Sequence, residues 1–228
     1  MVLNMLCILF TFIIMGIFYA AYRAHQVHKT QWDNKLVNAL DGLNYLLCRY
    51  YHRLNYQKIP LPAQGSGLIL ANHLSGLDGC LLVAASERPL RFLIAREEYN
   101  RFGLQWLFKA MGCIPVDRST RPEVALRAAL RALNAGEILV IFPQGRITHP
   151  DEFPHPLKKG ALWLATQTNS PVYPVYITGI KGVGHVVRGV LWRSEAHVHP
   201  QKPLDLQKTD NLDYLQHLFE GHYDVSTQ

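Results

Sequence analysis

Residues 2–21 carry no charge, and 17 of the 20 are apolar; only Asn4, Thr11 and Gly16 interrupt the run. Twenty helical residues at 1.5 Å each extend about 30 Å, the thickness of a bilayer's hydrocarbon core. A segment of this length and composition is expected to be a transmembrane helix over residues 1–22. A cleaved signal peptide would want a basic stretch first, a shorter apolar core and a small-residue cleavage site. Here no basic side chain precedes the run. Arg23 and Lys29 follow it, with His25 and His28 between them, so the positive-inside bias places the remainder of the chain on the cytoplasmic side of a single N-terminal span.

Composition narrows what lies beyond that span. Apolar residues make up 49% and charged residues 18%, which excludes a disordered chain. The four cysteines, Cys7, Cys48, Cys80 and Cys113, form no CxxC pair and fit neither a zinc ribbon nor a disulfide framework. A net charge of +6 suits nucleic acid or an anionic membrane. The apolar terminus selects membrane lipid as the partner, and no nucleic acid is expected. Residues 32–54 repeat Leu36, Leu40, Leu43, Leu47, Tyr50 and Leu54 at steps of three or four, one stripe of an amphipathic helix. The stripe packs on the domain core in one reading. In the other it lies in the membrane interface with Trp32, Tyr45 and Tyr51 near the headgroups. Pro60, Pro62 and Gly65 then lead into a globular domain over 65–225.

Within that domain short apolar runs alternate with helical segments. Strands are expected at 68–71, 91–95, 113–116, 138–142, 172–177, 186–191 and 196–199. Helices are expected at 79–85, 104–111, 121–135, 159–168 and 212–220. The helix from 121 has a capping box in Thr120 and Glu123, leucines 126, 130 and 133 on one face, and Gly136 as its stop. The alternation predicts an α/β domain with a largely parallel or mixed sheet flanked by helices, preceded by the transmembrane and amphipathic helices. Ligands in such sheets sit beyond the strands' carboxyl ends. Asn72-His73, Asp117-Arg118 and Pro143-Gln144-Gly145-Arg146 each follow an apolar run in that way. If those strands are parallel neighbours, the three clusters converge on one rim.

His73 and Asp78 carry the chemistry. A histidine is the natural general base near neutral pH, and a carboxylate on its second nitrogen fixes the tautomer and steadies the imidazolium. Five residues along a regular helix would point the two side chains apart, so they meet only if the chain turns at Ser75-Gly76. Otherwise His73 merely caps the next helix and Asp78 is a solvated acid in its first turn.

Four blocks occur in order: Asn72-His73-x4-Asp78, Gly112-Cys-Ile-Pro-Val-Asp117-Arg118, Phe142-Pro143-Gln144-Gly145-Arg146 and Val172-Tyr-Pro174-Val175. Together they resemble the glycerolipid acyltransferases, the family of 1-acyl-glycerol-3-phosphate (lysophosphatidate) acyltransferases, and the likeness runs from about Gly67 to Thr178. The resemblance implies that His73 is a general base deprotonating an acceptor hydroxyl and that Asp78 orients it. It implies that Arg118 holds the acceptor's phosphate and that Gly145 admits a substrate close to backbone. The resemblance also implies a structural or donor-side role for Pro174, and Lys158-Lys159 look like the lysine pair after the third block. These lysines hold phosphates of a coenzyme or headgroup, Lys159 then being a substrate-binding residue, or simply sit near anionic lipid. The third block departs from the commonest form, Phe-Pro-Glu-Gly-Thr-Arg-Ser. Gln144 replaces the glutamate and Arg146 arrives one position early, a local charge change of +1 that bears on which acceptor is held.

The function this resemblance implies is transfer of a fatty acyl chain from acyl-CoA or acyl carrier protein to a lysophospholipid-like acceptor in phospholipid synthesis. The thioester is a co-substrate; the chemistry requires no metal and no bound organic cofactor. An acyl-thioester hydrolase, in which water replaces the acceptor, and a non-enzymatic lipid-binding membrane protein are the alternatives. Metal sites are not expected at Glu195, His197 and His199, which span about 13 Å along one strand, nor at His25 and His28.

Overall fold

The apolar runs at 68–71, 138–141 and 172–177 are continuous rather than alternating, as strands covered on both faces must be. In the computed structural model, which describes residues 2–118, 122–148, 156–206 and 211–221, they form the centre of one sheet. Its strands are β1 (Asn55–Tyr56), β2 (Gly67–Ala71), β3 (Leu90–Ala95), β4 (Ile114–Val116), β5 (Ile138–Ile141), β6 (Val172–Thr178) and β7 (His197–Pro200). They lie in the order β1-β7-β6-β2-β5-β3-β4. The five strands from β6 to β4 are mutually parallel, β7 runs against β6, and β1 pairs with β7 in parallel. The sheet is therefore mixed, with a parallel core.

Helices cover both faces. They are α1 (Val2–Val27), α2 (Lys35–Leu46), α3 (Asp78–Ala85), α4 (Arg96–Tyr99), α5 (Gln105–Ala110), α6 (Pro122–Asn134), α7 (Gly160–Thr168), α8 (Val186–Leu191) and α9 (Asn211–Gly221). Alternate residues of β2 divide between two cores. Ile69 and Ala71 join Val37, Leu81 and Leu82 on the α2–α3 side, while Leu68 and Leu70 join Ala129, Leu164 and Phe219 on the α6–α7–α9 side. Gly136 ends α6 at a φ of +80°, but Thr120 of the expected capping box lies outside the described residues.

Two expectations need correction, and one strand was not foreseen. Residues 186–191 form α8 and not a strand. The β-branched valines suggested extension, but Gly182 and Gly184 turn the chain at φ of +79° and +83°, and Gly189 seats against Ser75, where a Cβ would come within 2.5 Å of the serine Cβ. The two-residue strand β1 escaped the sequence because it is too short to carry a period. Of the leucine stripe of 32–54 only Leu54 is buried in the core: Leu36, Leu43, Leu47 and Tyr50 are exposed, while Val37, Asp41, Gly42 and Cys48 are buried on another face.

Close packing selects that second face of α2. A Cβ on Gly42 would sit 1.9 Å from the carbonyl oxygen of Ala24, so glycine lets α1 cross α2 in backbone contact. Asn44 donates from Nδ2 to the carbonyl of Cys80 at 2.9 Å, tying α2 to α3. A π-helical turn, Leu47–Tyr51, continues α2. Trp32 is buried, contrary to a place at the headgroups, whereas Tyr51 is exposed. Within α1, residues Ile8–Val27 are long and apolar enough to cross a membrane by length and composition, and Ile8, Leu9, Phe10, Phe12, Met15 and Phe18 are exposed.

Candidate active site

The central strand β2 ends at Ala71 and delivers Asn72 and His73 to the sheet's carboxyl rim. Asn72 is buried and bridges to β6, accepting from the Ile177 N–H at 2.7 Å and donating to the Ile177 carbonyl at 2.9 Å. This clamp fixes the exit of β2 before the chain turns. After the turn through Ser75 and Gly76, α3 opens with Asp78, so five residues that a regular helix would splay apart are folded back on one another.

The fully buried Asp78 carboxylate is the centre of the turn. Its Oδ2 lies 2.7 Å from His73 Nδ1 and accepts from the backbone N–H groups of Leu74 at 2.6 Å and Ser75 at 2.9 Å. Ser75 Oγ donates to Oδ1 at 3.3 Å and accepts from the Leu77 N–H at 3.1 Å. Three donors on one buried oxygen hold the carboxylate as an acceptor and require His73 to carry its proton on Nδ1. Its Nε2 then holds the lone pair; this atom is neither hydrogen-bonded nor buried among the described residues, and the side chain is 20% exposed. Phe142, just beyond β5, stacks on the imidazole with centroids 4.1 Å apart and planes 13° apart, fixing the ring's tilt. The geometry that the H-x4-D spacing required is present.

The third block forms the neighbouring wall. β5 is paired directly with β2, and the chain turns after it with the Gly145 N–H donating to the Phe142 carbonyl at 2.9 Å. Gly145 has a φ of +77°, and a Cβ there would come within 2.7 Å of Lys158 Nζ. The lysine against this turn is thus Lys158; Lys159 is exposed at the start of α7. The Thr148 N–H donates to the His73 carbonyl at 2.9 Å, closing the turn onto the histidine loop. Gln144 and Thr148 are buried, and Gln144 Oε1 and Thr148 Oγ1 have no hydrogen-bond partner among the described residues. Arg146 is exposed on the same turn.

Arg118 shares the rim but not the neighbourhood. β4 is the edge strand, with β3 and β5 between it and β2, so at about 4.8 Å per strand it lies about 14 Å across the sheet from the histidine. The second and first blocks are parallel but not adjacent, so the condition of neighbouring strands is met by the first and third blocks and not by the second. Arg118 is exposed there, and Asp117 pairs with Arg96 at 3.4 Å. Pro174 is buried within β6 opposite Leu70, and its carbonyl accepts from the Gln201 N–H at 2.8 Å.

Sequence reasoning placed Ser75 only as a turn residue and missed its hydroxyl's bonds to Asp78 and Leu77, the Thr148 contact and the Asn72 clamp; small polar residues beside a turn carry no period to single them out. Cys80, two residues beyond Asp78, is no rival nucleophile, since burial and then the Asp78 charge push its thiol up to about 11. His197 and His199 stack at 5.7 Å, and Glu195 pairs with Arg53. Among the described residues no three His, Cys, Asp or Glu side chains gather to hold a metal ion. A cleft of about 450 Å³ lined by Arg91, Lys109, Arg131 and Glu137 opens at the opposite end of the strands, where Arg91 is already bound to Glu137 and the Gly112 carbonyl.

Fold and site together define a three-layer α/β protein with a carboxylate-oriented histidine on the exit of its central parallel strand. The chain belongs to the Acyltransferase family, whose family model matches residues 53–178. It is 28% identical over 125 residues to the 1-acyl-sn-glycerol-3-phosphate acyltransferase of Bacillus subtilis, covering 54% of this chain and 61% of that one. It is 34% identical over 125 residues to a probable 1-acyl-sn-glycerol-3-phosphate acyltransferase of Mycoplasma genitalium, covering 50% and 45%. The matched stretch thus spans less than two thirds of either relative. The crystal structure of the 1-acyl-sn-glycerophosphate (LPA) acyltransferase PlsC from Thermotoga maritima shares the fold, with a TM-score of 0.61 at 19% identity over 100% of this chain and 98% of that one.

Proposed function

We propose that this protein is a membrane-anchored O-acyltransferase that moves a fatty acyl chain from the thioester of acyl-CoA or acyl carrier protein to the hydroxyl of 1-acyl-glycerol-3-phosphate or a related lysophospholipid. The observation that carries the reading is the His73–Asp78 pair with an accessible Nε2. The acceptor hydroxyl donates to Nε2; as its oxygen attacks the thioester carbonyl, the proton passes to the imidazole and Asp78 balances the new positive charge. The tetrahedral intermediate collapses with cleavage of the C–S bond, and the departing thiolate takes the proton back. The new ester and a free thiol leave, and His73 is neutral again.

Arg118, Arg146 and Lys159 supply positive charge along the rim for the phosphate of the acceptor or donor, with Gln144 and Gly145 lining the turn between them and His73. Residues 1–22 act as the membrane anchor, 32–54 lie at the interface, and 65–225 form the acyltransferase domain on the cytoplasmic side. That arrangement suits a reaction whose acceptor and product are bilayer lipids.

The test is product analysis with the purified full chain, an acyl thioester, and lysophosphatidate present or absent. Thiol release that depends on lysolipid, matched by diacylated product and abolished by His73→Ala, is the expected result. Free fatty acid released equally without lysolipid would assign the hydrolase instead, and wild-type turnover by His73→Ala would remove the histidine from the mechanism.

A further inference from the structure

We infer that α8 and the π-helical turn after α2 form a second membrane contact, a lip that dips into an anionic lipid interface directly beside the histidine loop. The lip is built from Val187, Leu191 and Trp192 with Tyr50 and Tyr51. Val187 is 58%, Leu191 64%, Trp192 50% and Tyr50 64% exposed. Single exposed apolar residues are ordinary on a soluble surface, but a contiguous group on one short helix and the adjoining turn is not.

Two hydrogen bonds make these elements one surface. Tyr51 Oη donates to the Leu191 carbonyl at 2.7 Å, and Arg193 Nε donates to the Tyr51 carbonyl at 3.2 Å. The surface continues along α2 through the exposed Leu47 and Leu43, spaced four residues apart from Tyr51, towards the point where α1 crosses. The apolar tips therefore extend from the candidate span.

Charge identifies the occupant. Arg49, Arg188 and Arg193 surround the patch, Arg188 lying over the Trp192 ring at 5.5 Å. The nearby acid Glu195 is paired with Arg53 at 2.5 Å, leaving the rim basic. Aliphatic tips, tyrosine and tryptophan at the boundary, and arginines around them are the chemistry that seats a surface in an anionic leaflet.

The inner side of the lip bears on the site without an intervening layer. Gly189 has no room for a Cβ against Ser75, and a Cβ on Gly76 would come within 2.5 Å of the Val186 carbonyl oxygen. The Gly184 N–H donates to the Leu74 carbonyl at 2.8 Å. Seating α8 in the leaflet would hold the loop that carries His73 and Asp78 at headgroup level.

This rests on the proposed reading only in taking α1 as membrane-embedded, and its test reads lipid contact rather than turnover. The full chain and Trp192→Phe are placed in nanodiscs of phosphatidylglycerol and phosphatidylcholine in equal parts, with bromine on the acyl chains. Tryptophan emission is compared with that in unbrominated discs. Wild type should show a bromine-quenched component that Trp192→Phe lacks, and that component should fall about twofold in discs of phosphatidylcholine alone. Leu191→Glu should reduce it as well, with Trp192 still in place. Equal quenching of wild type and Trp192→Phe, with both proteins still floating with the discs, overturns the lip and leaves the surface to water or a protein partner. Failure to float at all overturns the anchor and the lip together.

Discussion

Asp78→Asn should lower kcat/KM for acyl transfer by about 10²- to 10³-fold, and the site explains why the loss stops there. Asparagine can place either its oxygen or its amide nitrogen where Oδ2 now sits. The Leu74 and Ser75 N–H groups both point at that place from 2.6 and 2.9 Å, and two donors facing a third would be repelled, so the oxygen goes there. His73 then keeps its Nδ1–H acceptor and its tautomer. Charge alone is lost: opposite unit charges about 4 Å apart at an effective dielectric of about 20 attract by about 4 kcal/mol, and each 1.4 kcal/mol is about tenfold in rate. Had the tautomer flipped, the loss would approach the about 10⁴-fold seen for the corresponding change in triad proteases. The assay is steady-state transfer to lysophosphatidate in mixed micelles, with ¹⁵N NMR of His73 reporting the tautomer. A loss of about 10⁴ or more with Nδ1 unprotonated would refute the selection by two backbone donors. A loss below about tenfold would refute the imidazolium-balancing role.

Asn72→Ala leaves the buried N–H and carbonyl of Ile177 unpaired and should destabilise the domain by about 2–4 kcal/mol in chemical denaturation, with Asn72→Asp falling between. Burial, opposed in part by the Val190 backbone, holds the pKa of His52 below its usual 6.5. Its contribution to stability is therefore complete above pH 6.5 and declines below it as the unfolded chain takes up a proton that the folded one refuses. The fall in Tm between pH 7.5 and 5.5 should be shallower in His52→Gln than in wild type, and parallel curves would contradict this. Gln144→Glu puts a carboxylate on a buried group whose Oε1 has no partner among the described residues. It should change the kcat/KM ratio between lysophosphatidate and zwitterionic lysolipids by about 1–3 kcal/mol, whereas equal changes for every acceptor would mean that the residue only shapes the turn.

The parts of the fold readable in advance were those in which local pattern and tertiary environment agree. β2, β5 and β6 are continuous apolar runs because both faces are covered, and α6 shows its period because one face is not. The His73–Asp78 encounter was legible because spacing, turn residues and chemistry all demanded it. Residues 186–191 misled because Val-Val-Arg-Gly-Val-Leu favours extension, whereas the turns at Gly182 and Gly184 and the fit of Gly189 against Ser75 go with a helix. The exposed leucines of α2 misled for a related reason: period identifies a stripe but not which side meets the core, and that was decided by Gly42, Asn44 and Cys48. The distance of Arg118 from His73 depends on strand order, which no short motif encodes. Lys158 rather than Lys159 meets Gly145 because the chain enters α7 one residue later.

The pairing of β1 with β7 sets an order of assembly. Asn55 and Tyr56 hydrogen-bond alongside His197 and Val198, and Arg53 meets Glu195 across 142 residues of chain. A ribosome delivers β1 long before the strand it pairs with. Until residues near 200 emerge, β1 has no sheet edge to close against, and the loop-closure entropy of that long separation remains unmet. α2 does not wait with it, since Asn44 ties α2 to α3 through the Cys80 carbonyl and Val37 packs with Ile69 and Leu81; β1 alone stays open while the central parallel strands collect. A translation arrest or truncation ahead of β7 would release not a smaller working domain but an open sheet with an uncovered edge, the kind of species that aggregates or is degraded.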